Sequence, residues 1–311
     1  MEKKIKKDWT AALIWLVFAI LIIYTLSILL LLGWGLITSL KSNMDFLTFN
    51  NKVGLPRWEY SSKEIFLAHY KGILSGFSVP IRANYYSAGK LVRVMKTVYF
   101  PTMILNSILY AVVGALVAAL TACVMGYACA RYPYKFSKFL SAMVLVLMMI
   151  PIVGSAPAYM TFMRETGLYD TWLGIFLEKA GFANMYFLLY LAFFEGMSTA
   201  YTEAAELDGA SQLQILLHIG LPLSLKITGT ITLILFIAYW DDYQTAKLYM
   251  PTHPTLALGI FEMINATNTS GFNTVPEKVA GSMLLVLPIL ILFICFREKL
   301  MGNLSLGGEK E

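Results

Sequence analysis

Six stretches of this chain are apolar at almost every position, over residues 11–38, 101–130, 138–162, 182–198, 223–243 and 279–296. A helix needs about 20 mostly apolar residues to cross the hydrocarbon core of a bilayer. The pattern therefore predicts an all-α integral membrane protein with six transmembrane helices. The fourth stretch is the shortest. Its charge-free core runs only from Phe182 to Phe194, so Met197–Tyr201 are needed to complete it.

Two of the intervening segments stand apart. Residues 39–100 form a basic, aromatic, turn-rich insertion with nine Lys and Arg against three carboxylates. Residues 203–222, reading EAAELDGASQLQILLHIGLP, are acidic and broken by glycine. Thr202 is placed to cap a short helix beginning at Glu203, and carboxylates at Glu203 and Glu206 suit its positive end. Gly209, directly after Asp208, marks a helix end that turns through the left-handed conformation. Ser211 with Gln214 fits a capping box opening a second short helix, and Pro222 falls in the first turn of the fifth span, where it loses no hydrogen bond. An amphipathic hairpin lying at the membrane interface would satisfy the same pattern.

Composition fixes the solvent. The chain is 58% hydrophobic and 14% charged, too apolar for a water-soluble domain, so a lipid bilayer is its natural surrounding. Charge then sets the sidedness. Lys3, Lys4, Lys6 and Lys7 precede the first span, and Arg131, Lys135 and Lys138 lie between the second and third, which places both segments in the cytoplasm. Six spans return the C-terminus to the same side. An insertion of about 60 residues is long enough to cross regardless of its charge, and it is expected outside. The first span is longer than the apolar core of a signal peptide and is read as an anchor. The organisation expected is an anchor helix over 1–40, an external insertion over 41–100, a membrane core over 101–300 containing the loop 201–222, and a cytoplasmic tail over 301–311.

Several chemistries are excluded. Cys123, Cys129 and Cys295 sit inside predicted spans without metal or redox spacing. The cores of spans two to six carry no ionisable residue, which opposes an ion-coupled secondary transporter. No G-x-x-x-x-G-K-[ST] loop is present to hold a nucleotide, and no Ser-His-Asp or Cys-His arrangement is arguable. The chain is read as no enzyme, with no cofactor, no metal and no nucleic-acid partner.

The wording Glu203-Ala204-Ala205, then Asp208-Gly209-Ala210, then Leu221-Pro222 resembles the cytoplasmic coupling loop of binding-protein-dependent ABC importer permeases. The likeness extends from about residue 98 to 308. Asn106-Ser107 and the run Gly126 to Arg131 resemble an N-S-L start and A-Y-A-x-A-R finish of the second span. Met149-Ile150-Pro151, Pro157-Ala158-Tyr159 and Gly167 to Thr171 are similar to the I-P, P-L-Y and L-G-L-x-D-T motifs, and Trp240-Asp241-Asp242-Tyr243 to W-N-D-F. Gly302 and Leu306 to Lys310 are similar to a tail that approaches the ATPases. Within that family the chain resembles the carbohydrate branch, in particular the second permease of maltose/maltodextrin importers. Departures are Leu213 and Leu216, where Trp and Phe are usual, and Lys226 in place of a common proline.

The resemblance implies a permease of a bacterial plasma membrane, working with a homologous second permease, two cytoplasmic ATPase subunits and an extracytoplasmic solute-binding protein to move a sugar. It assigns ATPase coupling to Glu203, Ala204, Ala205, Asp208, Gly209, Ala210, Leu221 and Pro222. Asn106, Trp240, Asp241 and Asp242 are candidates to line the pathway, although Trp240 also fits an interfacial anchor and Asn106 a bond between helices. The stretch 261–279, with Asn265, Asn268, Gly271 and Asn273, resembles an external loop that reaches the binding protein. The rival readings are a permease for a non-sugar solute such as an amino acid or phosphonate, a secondary transporter, and a structural membrane anchor.

Overall fold

The computed structural model describes residues 2–57, 59, 63–132, 134–150, 154–265 and 272–302. Pro151, Asn268, Gly271 and the tail residues Leu306 to Lys310 lie outside these. The chain divides into two compact units, Met1–Phe77 with Met263–Leu287, and Ser78–Glu262 with Pro288–Glu311.

The first unit is built on α1 (Glu2–Ser39), whose apolar part exposes Leu and Ile on all sides, as a lipid-facing helix does. A π-turn at Met44–Thr48 and α2 (Lys63–Gly76) follow. Side chains pin this segment to the end of α1. Trp34 Nε1 donates to the Lys52 carbonyl at 2.8 Å, the buried Lys41 donates to the Asn51 carbonyl at 2.7 Å, and the Tyr70 hydroxyl donates to Ser39 Oγ at 2.8 Å.

The second unit opens with an antiparallel hairpin, β1 (Ser78–Ser87) and β2 (Lys90–Tyr99), paired from Ser78↔Tyr99 to Ser87↔Lys90. Its two-residue turn has positive φ at both Ala88 and Gly89, the geometry that matches strand twist. Helices α3 (Phe100–Arg131), α4 (Lys135–Met149), α5 (Ser155–Glu165), α6 (Trp172–Lys179) and α7 (Met185–Glu195) follow, then α8 (Ala200–Leu207), α9 (Gln212–Ile215), a π-turn at Leu216–Gly220 and α10 (Leu221–Trp240). The last helix wholly in this unit is α11 (Tyr243–Tyr249); α12 (Leu256–Asn265) and α13 (Val275–Gly302) are divided between the two units, after Glu262 and after Leu287.

Among the described residues, four helical stretches are long and apolar enough to cross a membrane: Ala11–Ser39, Phe100–Arg131, Gln212–Trp240 and Val275–Phe296. The expected third and fourth spans differ. Residues 138–162 are not one helix, because α4 stops at Met149 and Ile150 turns extended (ψ 115°), the bias of a residue that precedes proline. Helix α7 has only 11 residues, and Met197–Tyr201 do not lengthen it. Gly196 and Ser198 interrupt the run, and Ser198 Oγ takes the Ala200 amide into a new helix.

The core of this unit is α3 packed on α7 and α10. Ala111, Ala115, Ala118, Ala119 and Ala122 recur at helical spacing and are buried, a stripe of small residues that lets backbones approach. The approach is closest at Gly126, where a Cβ would stand 2.6 Å from Tyr190 Cβ and 3.0 Å from the Leu191 nitrogen. Relief of the glycine's poor helix propensity is worth at most about 1 kcal/mol, whereas overpacking costs about 1–3 kcal/mol, so the clash wins. Gly126→Val should lower the thermal unfolding midpoint of the purified protein, and an unchanged midpoint would show that α7 can shift to make room.

Candidate functional site

The loop between α7 and α10 is two short helices joined by an obligatory turn. Helix α8 starts at Ala200, three residues earlier than the sequence leads one to expect. Its N-terminus is served by Ser198, not Thr202, whose buried hydroxyl lies inside the first turn without a hydrogen-bond partner. Glu203 nevertheless falls in that first turn, beside the positive end of the helix.

At the other end, Asp208 caps the helix and Gly209 takes φ +80°. The Gly209 amide donates to the Glu206 carbonyl at 3.0 Å and the Ala210 amide to the Ala205 carbonyl at 2.9 Å. This pair of crossing bonds is a Schellman motif, which needs a left-handed residue at the glycine position. The next helix starts at once. Ser211 Oγ accepts the Gln214 amide, and Gln214 Oε1 accepts the Ser211 amide at 2.8 Å, a complete capping box. Gln212 Nε2 then donates to Glu206 Oε1 at 2.7 Å, bracing α8 against α9.

From Gln212 the helical path continues to Trp240 through the π-turn, so Leu221 and Pro222 sit just past a widened turn inside one span. A cleft of about 400 Å³ lies between the arms, lined by Ala205, Asp208, Gly209, Ala210 and His218 among others. Around it exposed leucines stand among exposed acidic and amide side chains. Leu207 is 89% exposed, and Leu213 and Leu217 are exposed too. Clustered apolar exposure of this kind marks a contact surface.

The candidate pathway residues lie at the opposite end of the same helices. The 20 residues of α10 rise about 30 Å at 1.5 Å each, which separates Leu221 from Trp240. Asn106 Nδ2 donates to the Pro254 carbonyl at 3.0 Å. Trp240 is buried and stacked on Phe236, and Asp241 is exposed. Asp242 caps α11 through the Thr245 amide at 3.0 Å and accepts the Tyr110 hydroxyl at 2.6 Å. Lys179 Nζ reaches the same carboxylate at 3.4 Å, lies 3.2 Å from Glu178 Oε2, and stands 4.3 Å above the Tyr239 ring. A Cβ at Gly114 would crowd the Tyr239 ring, 3.3 Å from Cδ2, and would stand in ordinary contact with Lys179 Cγ at 3.6 Å.

A second buried carboxylate anchors the hairpin. Asp170, itself at φ +60°, accepts the Tyr85 hydroxyl at 2.7 Å and the Thr252 amide at 3.0 Å, with His253 Nδ1 at 3.5 Å. Burial pushes the Asp170 carboxyl up, but hydrogen bonds from His253, Tyr85 and Thr252 more than offset it and hold it below its ordinary value. The hairpin turn is fixed as well, the Ala88 amide donating to the Arg164 carbonyl at 2.7 Å. Glu178, Lys179, Tyr110, Tyr85 and His253 were not among the residues the sequence singled out, and Asp170 entered only as part of the motif from Gly167 to Thr171. The one local signal for the Lys179 cluster was Asp242 itself, a carboxylate that needs a cation or donors once it leaves water.

Residues 122–301 match the family described as the binding-protein-dependent transport system inner membrane component, more than half of the chain. The chain belongs to that family. It is accordingly a transport permease and not an enzyme. The permease is 30% identical to the maltose/maltodextrin transport system permease MalG of Yersinia pestis over 68% of this chain and 72% of that protein. It is 25% identical to the trehalose transport system permease SugB of Mycobacterium tuberculosis, over 68% and 77%. A match to the melibiose/raffinose/stachyose import permease MelC of Bacillus subtilis is 27% identical over 66% and 75%. Its fold also matches a solved chain from a bacterial ABC transporter involved in import of the acidic polysaccharide alginate, with TM-score 0.67 at 22% identity, covering 91% of the permease and 96% of that chain. The family match takes in the whole loop from α7 to α10 and begins after the hairpin.

Proposed function

We propose that this permease forms half of the membrane pathway of an ABC importer for a sugar or oligosaccharide in a bacterial plasma membrane. In this reading a homologous permease supplies the other half, two ATPase subunits dock on Glu203–Pro222 from the cytoplasm, and a solute-binding protein delivers the sugar outside. Glu203, Ala204, Ala205, Asp208, Gly209 and Ala210 form the docking arm, and Leu221 and Pro222 transmit its movement to α10. ATP-driven closure of the ATPases pulls the arm as a lever and switches access between the two sides. The observation that carries the reading is the rigid turn at Gly209 flanked by exposed Leu207 and Leu213, a surface built to be covered by another protein. The sugar assignment is supported by relatives that transport trehalose, maltodextrins and raffinose-type sugars.

The test is uptake of radiolabelled trehalose, raffinose, maltotriose and a uronate-bearing oligosaccharide by cells that express the complete transporter. Saturable uptake of at least one sugar is expected, abolished when the ATPase subunits are inactivated. Uptake that survives ATPase inactivation, or accumulation of none of these sugars, would overturn the reading.

Six crossings with both termini in the cytoplasm complete the proposal, the four long helices being joined by two shorter apolar passages at α4 and α7. A cysteine at Ser211 should then react with an impermeant thiol reagent only after the membrane is opened, and one at Lys90 in intact cells. Labelling of Ser211→Cys from outside would put the arm on the wrong side for any ATPase.

A further inference from the structure

Both arms of the candidate coupling loop are fastened to the end of α3, a helix that the sequence does not connect to them. Arg131, its last residue, donates from Nη2 to the Met197 carbonyl at 3.0 Å, in the link between α7 and α8. Tyr132 follows and donates its hydroxyl to Gln212 Oε1, at the first residue of α9. Because Gln212 also donates to Glu206 on α8, the two arms and the end of α3 form one hydrogen-bonded frame. Burial, and then the nearby Glu206 carboxylate, push the Tyr132 phenol up, in keeping with its place inside this frame.

Two further observations separate this frame from incidental contact. Arg131 Nε is buried with no hydrogen-bond partner, so the guanidinium is held by the Met197 carbonyl and the negative end of α3 at the expense of a donor left unsatisfied. Buried donors are seldom left so, and an exception calls for a reason. The second contact is steric. Gly220, at the end of the π-turn, lies so close to the Tyr127 ring that a Cβ would come within 2.9 Å of Cε2.

At its far end, α3 makes the Tyr110 bond to Asp242, the Asn106 bond to the Pro254 carbonyl, and a bond from the Leu256 amide to Ser107 Oγ at 2.6 Å. A helix of 32 residues, about 48 Å long, thus joins the loop to the layer of polar side chains beyond α10.

Resting on the coupling reading above, we propose that Arg131 and Tyr132 are positioning residues that carry displacement of the coupling loop into α3, so that α3 moves with the loop alongside α10. Without them the loop would still be continuous with α10, and its motion would reach α3 only indirectly, through the packing of α7 and α10 against it. Two hydrogen bonds join α3 to the loop and a third braces the loop's two arms, the kind of contiguous contact through which coupling travels.

The experiment uses the complete transporter in lipid nanodiscs. ATP hydrolysis is measured without and with the solute-binding protein, saturated with whichever of trehalose, raffinose or maltotriose the wild type accumulates. Arg131→Lys and Tyr132→Phe should assemble with the ATPase subunits at wild-type stoichiometry and keep basal hydrolysis, yet lose the stimulation. Tyr132→Phe combined with Gln212→Ala should be no worse than Gln212→Ala alone, which already breaks the link to Tyr132 together with the bond to Glu206. Wild-type stimulation in both single variants would overturn the proposal. So would additive losses in the double variant, or failure of both single variants to assemble, which is what a purely structural role predicts. Gly209→Val is run beside them. If it retains wild-type stimulation, the coupling reading itself fails and the proposal falls with it.

Discussion

Gly209→Val should abolish sugar uptake while the permease still inserts in the membrane and accumulates. The glycine holds φ +80°, and an added Cβ would meet nothing within 4 Å, so the penalty is backbone strain alone and not a clash. A left-handed conformation costs an ordinary residue about 1–2 kcal/mol, and a β-branched one is more restricted still. That is too little to unfold a membrane domain held by α3, α7 and α10. It is enough to break the Schellman bonds from Gly209 and Ala210 and to swing Ser211 out of line with the cap of α9. The effect should therefore be graded by conformational tolerance. Asn, which visits the left-handed region readily, should keep most uptake, Ala less, and Val none. Uptake measured against membrane-inserted protein decides it. If the three substitutions behave alike, or if Val transports normally, the turn has no part in coupling.

The same residues show why this loop was readable in advance and other parts were not. Caps and left-handed turns are written within four or five neighbouring residues, so Gly209 and the Ser211–Gln214 box could be placed from the chain alone. The start of α8 differs from the expected one because Thr202 is not its cap: the Ala200 amide is bonded by Ser198, four positions earlier. The break after α4 had its signal in Pro151, which biases Ile150 to an extended backbone, but the apolar pattern on either side runs through it. The buried charges were out of reach for another reason. Tyr110 and Asp242 are 132 residues apart and Lys179 and Asp242 are 63 apart, and nothing local says that they meet. In the fold Lys179 is buried between two tyrosine rings.

That lysine carries the other large expected effect. Lys179→Met should destabilise the permease severely, because it leaves the Asp242 carboxylate buried without its cation. Breaking a buried pair by removing one partner costs about 3–5 kcal/mol, most of it the penalty of the charge left behind. Tyr110 and the Thr245 amide would still bond Asp242, which lessens the loss without neutralising the charge. Removing both charges removes the part of the cost that Asp242 carries, while Glu178, 3.2 Å from Lys179, still loses its cation. Lys179→Met with Asp242→Asn should recover much of the stability, since the amide oxygen can still accept from the Thr245 amide while its nitrogen donates to the Tyr110 hydroxyl. A pair that merely decorated the surface would be worth no more than about 1 kcal/mol in either variant. Thermal unfolding of the two single variants and the double variant in detergent forms the cycle that separates these cases. Rescue in the double variant would show that the cost lies in the unpaired charge, whereas losses that simply add would show that the two side chains do not act on one another and that the cluster does not hold α6 to the end of α10.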